Sequence, residues 1–300
     1  MTGLRPRRIA LALLLGLLVL ATPDSGRQAA TVSLVKVETA KAVDFGQDVV
    51  WFLVLGSDAR GAEEVRKGRA DAIQLVGVDF ETGSAVAFGV PRDSWVEIEG
   101  HGPDRINAGL MLGGQELMAD LVEDLFAIPP DYVVTVGFGG FRGLVDRVGG
   151  VQVESRLAFS DQASGLDIRK GRNQLDGDDA VQFARARRLP GDDFARSANH
   201  QELMKGIARQ LAAREDEVGF IEGGVRAALG ALDTNLSPSE LYRLAQAVTQ
   251  VDLRTARTCV LDGTPDTING ASIIQVDRDQ ARRLGGDARE DARLDRPCRG

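Results

Sequence analysis

Apolar and polar positions follow different periods along the chain and predict several strands and helices. Val49–Leu55 is an uninterrupted apolar run that ends at Gly56, which predicts a strand buried on both faces. Ala72–Val78 and Ser84–Val90 predict two further strands, joined as a hairpin by the turn residues 81–83. Leu110–Phe126 carries apolar side chains at helical spacing and predicts an amphipathic helix.

The pattern continues as alternating strands and helices to the end of the chain. Further strands are predicted at Tyr132–Val136, Val151–Val153, Arg257–Leu261 and Ser272–Val276. Further helices are predicted at Phe141–Val148, Asp176–Ala186, Arg196–Arg214, Glu217–Leu232, Ser237–Thr249 and Asp279–Leu284. Interleaved strands and helices indicate an α/β protein with a mixed sheet and helices on both faces.

The N-terminus has the pattern of an export signal. Arg5, Arg7 and Arg8 precede the apolar run Ile9–Ala21, whose 13 residues are shorter than the roughly 20 that span a bilayer. We interpret residues 1–22 as a cleaved signal peptide or a short membrane anchor, and residues 23–47 as a stalk. Either alternative places the rest of the chain outside the cytoplasm, attached to the membrane or secreted to the cell wall.

The net charge and the two cysteines indicate which partners and which cysteine chemistry to expect. The net charge of −8 and the pI of about 5.0 argue against a nucleic-acid partner, which normally selects a basic domain. In an exported chain the two cysteines, Cys259 and Cys298, most simply form one disulfide. Two free buried thiols are the alternative.

Charged residues follow or precede three of the predicted strands. Asp58 comes directly after the first strand, Asp71 lies at the start of the second, and Arg92 and Asp93 follow the third. Catalytic groups of α/β proteins concentrate at such strand ends. Solvated loop charges are the alternative for any one of them.

A second charged cluster lies between two predicted helices. Arg185, Arg187 and Arg188 end one helix, and Arg196 and His200 share a face of the next. Surface salt bridges would explain such a pattern, but several Arg beside Asp also suit a diphosphate. The chain has no Gly-rich Lys loop of the Walker type, so a nucleotide is not the expected phosphate donor.

Taken together, these motifs resemble the LytR–CpsA–Psr family over roughly residues 49–212. The resemblance rests on an ordered set of motifs: 52–60, 69–73, Val90-Pro91-Arg92-Asp93, Arg105-Ile106-Asn107-Ala108, 140–151, Leu175-Asp176-Gly177, Ala184-Arg185-Ala186-Arg187 and 191–196. The resemblance implies a three-layer α/β/α domain around a central mixed, mostly antiparallel sheet, with a hydrophobic lipid-binding cleft. It places this catalytic domain at 48–215, and we expect residues 216–300 to complete the same domain.

The resemblance also implies a set of site residues and a cofactor. Asp58, Asp71 and Arg92 would be catalytic, and the two carboxylates would bind Mg²⁺. The pyrophosphate would be bound by Arg92, Arg105, Arg185, Arg187, Arg196 and His200.

By the same resemblance the chain is expected to be a phosphotransferase at the outer face of the cytoplasmic membrane. A hydroxyl of peptidoglycan would attack the sugar-linked phosphorus of a polyprenyl-pyrophosphate-linked glycopolymer, and polyprenyl phosphate would leave. The alternatives are a catalytically weak scaffold of the same fold that binds the lipid-linked polymer, and a polyprenyl-pyrophosphate pyrophosphatase.

The chain departs from the family pattern at two places. Where the family commonly carries a second Arg and a Gln pair, this sequence reads Asn199-His200-Gln201, and the family's Lys-Ile-Asn is Arg105-Ile106-Asn107. A protonated His200 would compensate for the lost Arg as a hydrogen-bond donor. The alternative is that the changes weaken the chemistry.

Overall fold

The computed structural model describes residues 32–37, 49–59, 65–161, 164–186, 192–214, 233–237, 240, 251–296 and 298. The export segment 1–22 and the helix predicted at Glu217–Leu232 lie outside the described residues, as does most of the helix predicted from Ser237. Two residues at the start of the helix predicted at Ser237–Thr249 are described. Glu240 N donates to Ser237 Oγ at 3.3 Å, and Ser237 N donates to Glu240 Oε2 at 2.9 Å. These two bonds form the capping box that the sequence predicts.

Seven of the described strands form the central sheet. They are β1 (Val32–Lys36), β2 (Val49–Ser57), β3 (Ala70–Asp79), β4 (Ala85–Gly89), β7 (Tyr132–Gly137), β12 (Asp233–Thr234) and β13 (Arg257–Val260). Their order across the sheet is β12-β1-β7-β2-β3-β4-β13. The long β2–β3 and β3–β4 pairings and the β1–β7 pairing are antiparallel, whereas β2–β7, β4–β13 and β1–β12 are parallel. The predicted mixed sheet is confirmed.

The remaining described strands form two-stranded ribbons outside this sheet. They pair β5 (Trp95–Ile98) with β6 (Gly102–Arg105), β8 (Val151–Ser155) with β11 (Gly171–Leu175), β9 (Phe159–Asp161) with β10 (Leu166–Ile168), and β14 (Gly263–Ile268) with β15 (Ala271–Val276). The described helices are α1 (Gly109–Phe126), α2 (Phe138–Arg147), α3 (Gly177–Arg185), α4 (Asp192–Ala213) and α5 (Arg278–Ala288). The helix predicted at Leu110–Phe126 corresponds to α1, which is interrupted at Gly114, where φ is 73° and the backbone is not helical.

Two hydrophobic clusters on opposite faces of the sheet give the three layers that the resemblance implies. Because side chains alternate along a strand, β2 sends Phe52 to one face and Leu53 and Leu55 to the other. The first face packs against apolar side chains of α2, α3 and α4, whereas the second packs against α1 and α5. The uninterrupted apolar sequence of β2 follows from this burial on both faces.

The predicted stalk at 23–47 is wrong at residues 32–36. These residues form β1, which pairs with β7 over five residues, and Val32 and Leu34 are each 1% exposed. The segment is short and isolated in the sequence, and its partner lies about 100 residues away, so no local pattern marked it as part of the sheet.

The C-terminal part of the chain packs into the same three layers. β13 is an edge strand of the central sheet and pairs with β4, and α5 packs against α1. The predicted disulfide is confirmed: Cys259 in β13 is bonded to Cys298, with a Cα–Cα distance of 5.5 Å. The chain terminus is therefore tied to the central sheet.

Candidate functional site

An elongated cavity of about 470 Å³ lies between one face of the central sheet and the helices α2 and α4. In-register neighbours on β2, β3, β4 and β7 form its floor: Phe52 pairs with Val76, which pairs with Ala87, and Val54 pairs with Val134. The opposite wall is largely apolar and includes Phe138, Phe141, Leu203, Met204, Ile207 and Ala208. From Asp71 to Val78 the floor extends about 23 Å at the rise of a strand. These apolar walls suit a long hydrocarbon chain.

One end of the cavity is lined by charged side chains, which we call the charged mouth: Asp58, Arg69, Asp71, Arg92, Asp93, Arg105, Arg185 and Arg196. Strand connectivity brings these residues together. β2 ends and β3 begins at the same edge of the sheet because the two are antiparallel, so Asp58 and Asp71 become neighbours of one opening. β4 ends at this edge too and is followed by Arg92 and Asp93.

Each of the two predicted metal-binding carboxylates has a partner. Asp58 Oδ1 accepts a hydrogen bond of 2.7 Å from Arg69 N, and Asp58 N donates to Arg69 O at 3.1 Å. These bonds hold the loop after β2 against the start of β3. Asp71 Oδ1 accepts from Arg92 Nη1 at 2.6 Å in an ion pair whose side chains are 23% and 17% exposed. This pair fixes the guanidinium of Arg92 at the mouth.

Three further arginines surround this pair. Arg105 Nη1 lies 3.6 Å from Asp93 Oδ1, and Arg196 is paired with Asp193. Arg92 Nε lies 3.7 Å from Asp93 Oδ1 and 3.9 Å from Asp193 Oδ1, beyond hydrogen-bonding distance. Arg185 ends α3 and is exposed, with its guanidinium 4.9 Å from the ring centre of Phe138.

A buried polar network holds α4 over the sheet at this end. Gln74 of β3 is 1% exposed, and its Nε2 donates to Ser197 Oγ at 3.0 Å. Gln201 Nε2 donates to Gln74 Oε1 at 3.1 Å and to Cys259 O at 2.8 Å. Helix and sheet approach so closely that a side chain at Gly89 would collide with Ser197 Oγ. The network therefore fixes the positions of Arg196 and His200, which flank Ser197 and Gln201 on α4.

Several buried polar atoms at the mouth lack a hydrogen-bond partner among the described residues. They are Arg92 Nε, Asp93 Oδ1, Asn107 Oδ1 and His200 Nδ1. A buried polar atom without a partner costs free energy, and a polar ligand bound at the mouth would satisfy these atoms. One donor and three acceptors remain to be satisfied.

His200 has a fixed tautomer that the sequence could not predict. Its Nε2 lies 2.9 Å from Ala184 O, and since a carbonyl only accepts, Nε2 carries the proton. Burial lowers the pKa of His200 to about 4; the bond to Ala184 opposes this effect and the nearby Arg196 adds to it. His200 is therefore neutral at pH 7, and its Nδ1 accepts rather than donates. A donor at Nδ1 that compensates for the missing Arg would require protonation of the ring, which its lowered pKa disfavours.

Asn199, the other departure from the family pattern, points away from the mouth. Its Nδ2 donates to Phe183 O at 3.3 Å, in the last turn of α3. Together with His200 it docks α4 on two carbonyls at the end of α3, of which Phe183 O also accepts from Ala186 N at 3.4 Å. The position therefore contributes to the placement of α3 and its terminal Arg185.

The carboxylate oxygens at the charged mouth suit Mg²⁺, although they do not form a site in which protein side chains alone surround a metal ion. Among the described residues, no three His, Cys, Asp or Glu side chains are grouped so as to hold a metal ion. Mg²⁺ does not need such a group, because it is commonly held by one or two carboxylates together with substrate phosphates and water. Asp58 and Asp71 offer two carboxylates at one opening beside the arginines that suit a phosphate.

The sequence predicted most of the residues that the fold brings together. Seven of the eight predicted site residues line this cavity: Asp58, Asp71, Arg92, Arg105, Arg185, Arg196 and His200. Arg187 lies outside the described residues. Asp93 was noted as a charge at a strand end and Asn107 only as part of a motif, and neither was predicted as a site residue. Gln74 was missed, although a lone amide inside an apolar strand is a signal of a buried polar contact.

Comparison with known proteins identifies the family. Residues 22–290 match the LytR_cpsA_psr family. The polyisoprenyl-teichoic acid–peptidoglycan teichoic acid transferase TagU of a Bacillus cereus strain is 33% identical over 196 residues, which cover 64% of this chain and 62% of that protein. The TagU of Bacillus subtilis (strain 168) is 31% identical over 237 residues, which cover 75% and 72% respectively.

A solved structure described as TagT bound to LI-WTA has the same fold. It superposes with a TM-score of 0.64 at 25% identity, covering 89% of this chain and 96% of that chain. The chain spans less than two thirds of the length of the first relative named above, but the family match itself covers most of the present sequence. The chain belongs to the LytR_cpsA_psr family.

Proposed function

We propose that the protein is a phosphotransferase that attaches a polyprenyl-pyrophosphate-linked glycopolymer to peptidoglycan through a phosphodiester bond. The observation that carries the proposal is one cavity with two kinds of wall: apolar sheet and helix faces that end at a cluster of arginines and carboxylates. A lipid pyrophosphate has the same two parts in the same order. The names of the two TagU relatives, which are teichoic acid transferases, support this substrate class.

The arginines of the mouth are the groups that recognise the pyrophosphate. Arg92, Arg105 and Arg196 stand around Asp93 and Asp193, so each presents a guanidinium that is already oriented by a carboxylate. A guanidinium matches two phosphate oxygens at once, and a charge fixed before the reaction stabilises the charge that develops during transfer. Arg185, held over Phe138 at the rim, is the fourth such group, and Arg187 is proposed as a fifth.

Asp58 and Asp71 are the residues that would hold Mg²⁺. When bound, Mg²⁺ neutralises charge on the phosphate oxygens. Side chains of the protein carry out the other steps. Asp58 or Asp71 orients the acceptor hydroxyl and takes its proton, and the arginines bind the departing phosphate.

The proposed reaction exchanges a phosphoanhydride bond for a phosphoester bond. An oxygen of a peptidoglycan hydroxyl forms a bond to the sugar-linked phosphorus, and the bond from that phosphorus to the bridging oxygen breaks. Polyprenyl phosphate leaves, and the glycopolymer phosphate remains on peptidoglycan. No nucleotide is needed, because the pyrophosphate linkage supplies the driving force.

The same proposal places the chain outside the cytoplasm, at the outer face of the membrane or in the cell wall. The N-terminal apolar segment and the Cys259–Cys298 disulfide support this location, since disulfides persist in oxidising compartments. Within the part of the chain that the structure describes, no helix has both the length and the apolar character that a membrane span requires.

The test is transfer by the full chain supplied with a glycopolymer on polyprenyl pyrophosphate, with and without peptidoglycan fragments and with and without Mg²⁺. A phosphodiester product that requires both the fragments and Mg²⁺, and that is lost in Arg92→Ala, supports the proposal. Hydrolysis that ignores the fragments would identify a pyrophosphatase. Bound lipid without turnover would identify a scaffold, the alternative that the Asn199 and His200 departures favour.

A further inference from the structure

His200 is a hydrogen-bond acceptor at the charged mouth, where the arginines are proposed to bind the anionic pyrophosphate. Its Nε2–H is donated to Ala184 O at 2.9 Å, which leaves the lone pair at Nδ1 unused, and the residue lines the cavity. Nδ1 is shielded from solvent and has no partner among the described residues. Burial keeps the ring neutral by lowering its pKa to about 4.

Such a lone pair does not bind a phosphate oxygen, which is also an acceptor. It requires a ligand group that donates, and among the parts of a glycolipid and a glycan strand the donors are hydroxyls and acetamido N–H groups. The family's Gln at this position carries an amide that both donates and accepts. The change to His therefore replaces a group that suits an anion with one that suits a hydroxyl.

Asn107 provides a second acceptor at the same opening. It is 2% exposed, lines the cavity and has no hydrogen-bond partner for Oδ1 among the residues described. Its backbone N donates to Arg92 O at 3.2 Å, so it is held beside the arginine that pairs with Asp71. Two buried neutral acceptors next to the cationic groups are the complement of a sugar, with its several hydroxyl and acetamido donors, next to a phosphate.

We propose that His200 orients a sugar beside the reacting phosphoryl group by accepting a hydrogen bond at Nδ1 from a hydroxyl other than the attacking one, while Asn107 Oδ1 accepts from a second hydroxyl or an acetamido N–H of that sugar. The inference rests on the proposed function and refines it. Two sources supply this chemistry: the first sugar of the glycopolymer donor and the acceptor sugar of peptidoglycan.

The neighbouring contacts explain how the ring is held for this role. Asn199 Nδ2 and His200 Nε2 donate to consecutive carbonyls of α3, Phe183 O and Ala184 O. One turn of α4 is thereby docked on the end of α3, and the imidazole cannot rotate without losing its bond. His200→Gln keeps an amide N–H within reach of Ala184 O but removes the atom at Nδ1. His200→Asn places an amide oxygen near Nδ1 but does not reach Ala184.

The experiment measures binding of geranylgeranyl pyrophosphate, with and without one N-acetylhexosamine on its terminal phosphate, to the full chain and to both variants. It also measures the KM for peptidoglycan fragments at saturating donor. Thermal unfolding of each variant checks the fold. The loss of one hydrogen bond to a neutral group predicts an effect of about tenfold for His200→Gln.

A tenfold weaker affinity of His200→Gln for the sugar-bearing lipid alone supports the inference and assigns the hydroxyl to the donor. A tenfold higher KM for the fragments, with lipid affinities unchanged, supports it and assigns the hydroxyl to the acceptor. His200→Asn is expected to keep the wild-type ratio of the two lipid affinities.

Three results would overturn the inference. They are no change in either measurement for His200→Gln, an equal loss for the lipid that lacks a sugar, and a loss of sugar preference in His200→Asn alone. A wild-type chain that binds the lipids but transfers nothing to the fragments would refute the proposed function instead, while the comparison of the two lipids would still report on His200.

Discussion

A bulky side chain at position 87 should weaken binding of the lipid chain without affecting binding of its head group. Ala87 of β4 is 6% exposed, lines the cavity and pairs with Val76, which pairs with Phe52. Val76 lies five residues beyond Asp71 on β3, about 17 Å from the charged mouth at the rise of a strand. An Ala87→Trp indole therefore fills the apolar part of the cavity about five strand residues away from Asp71.

The expected loss follows from the hydrocarbon that the indole displaces. If one five-carbon isoprene unit loses its place, and each buried carbon contributes about 0.8 kcal/mol, binding weakens by about 4 kcal/mol. That corresponds to roughly a thousandfold in dissociation constant. Partial rearrangement of the lipid would reduce the loss to about a hundredfold, since the structure surrounding a changed site relaxes only in part.

The assay compares a long polyprenyl pyrophosphate with geranyl pyrophosphate, whose chain is too short to reach the level of Ala87. Ala87→Trp should weaken binding of the long lipid by the amount above and leave geranyl pyrophosphate binding unchanged. Ala87→Ser, which is matched in size, should bind both lipids as the wild type does. An equal loss for both lipids, or no loss for the long one in a folded variant, would show that the chain lies elsewhere.

Three further outcomes are expected. Arg92→Ala should lower kcat for transfer about a hundred- to a thousandfold, whereas Arg172→Ala, whose side chain is 78% exposed and pairs loosely with Glu154, should leave it unchanged. Replacing Cys259 and Cys298 by Ser should lower the free energy of unfolding in urea by about 4 kcal/mol, because the bond closes a loop of 39 positions. The pKa of His200 is about 4 in the folded chain and about 6.5 unfolded, so the stability that its neutral form contributes is present above pH 6.5. That stability should be lost as the pH falls from about 6.5 to 4, and His200→Gln should flatten this part of the urea-denaturation profile.

The sequence predicted elements whose pattern is local and long. β2 is an apolar run buried on both faces, α1 carries apolar side chains at helical spacing from Gln115 to Phe126, and β3 and β4 are joined by a short connection of five residues, 80–84. In each case neighbouring residues carry the signal. Asp58 and Asp71 were predicted in the same way, because each abuts an apolar strand.

Contacts between distant segments were not predictable from local pattern. β1 contains five residues and is stabilised by β7, far along the chain, so its burial is a property of the assembled sheet. The tautomer of His200 depends on which nitrogen meets Ala184 O, a contact across 16 positions between two helices. Residue type alone allowed a protonated donor, and only the burial of the ring makes it a neutral acceptor.

The central claim concerns the phosphorus that moves to the wall, and labelling that atom tests it most directly. The donor is prepared with radioactive phosphorus only at the position bonded to the sugar and is incubated with the full chain and peptidoglycan fragments. The account predicts that the label becomes covalently attached to the fragments, one phosphorus per linkage, while the released polyprenyl phosphate is unlabelled. Label that leaves with the lipid, or label that appears only on free glycopolymer when fragments are present, would contradict the account.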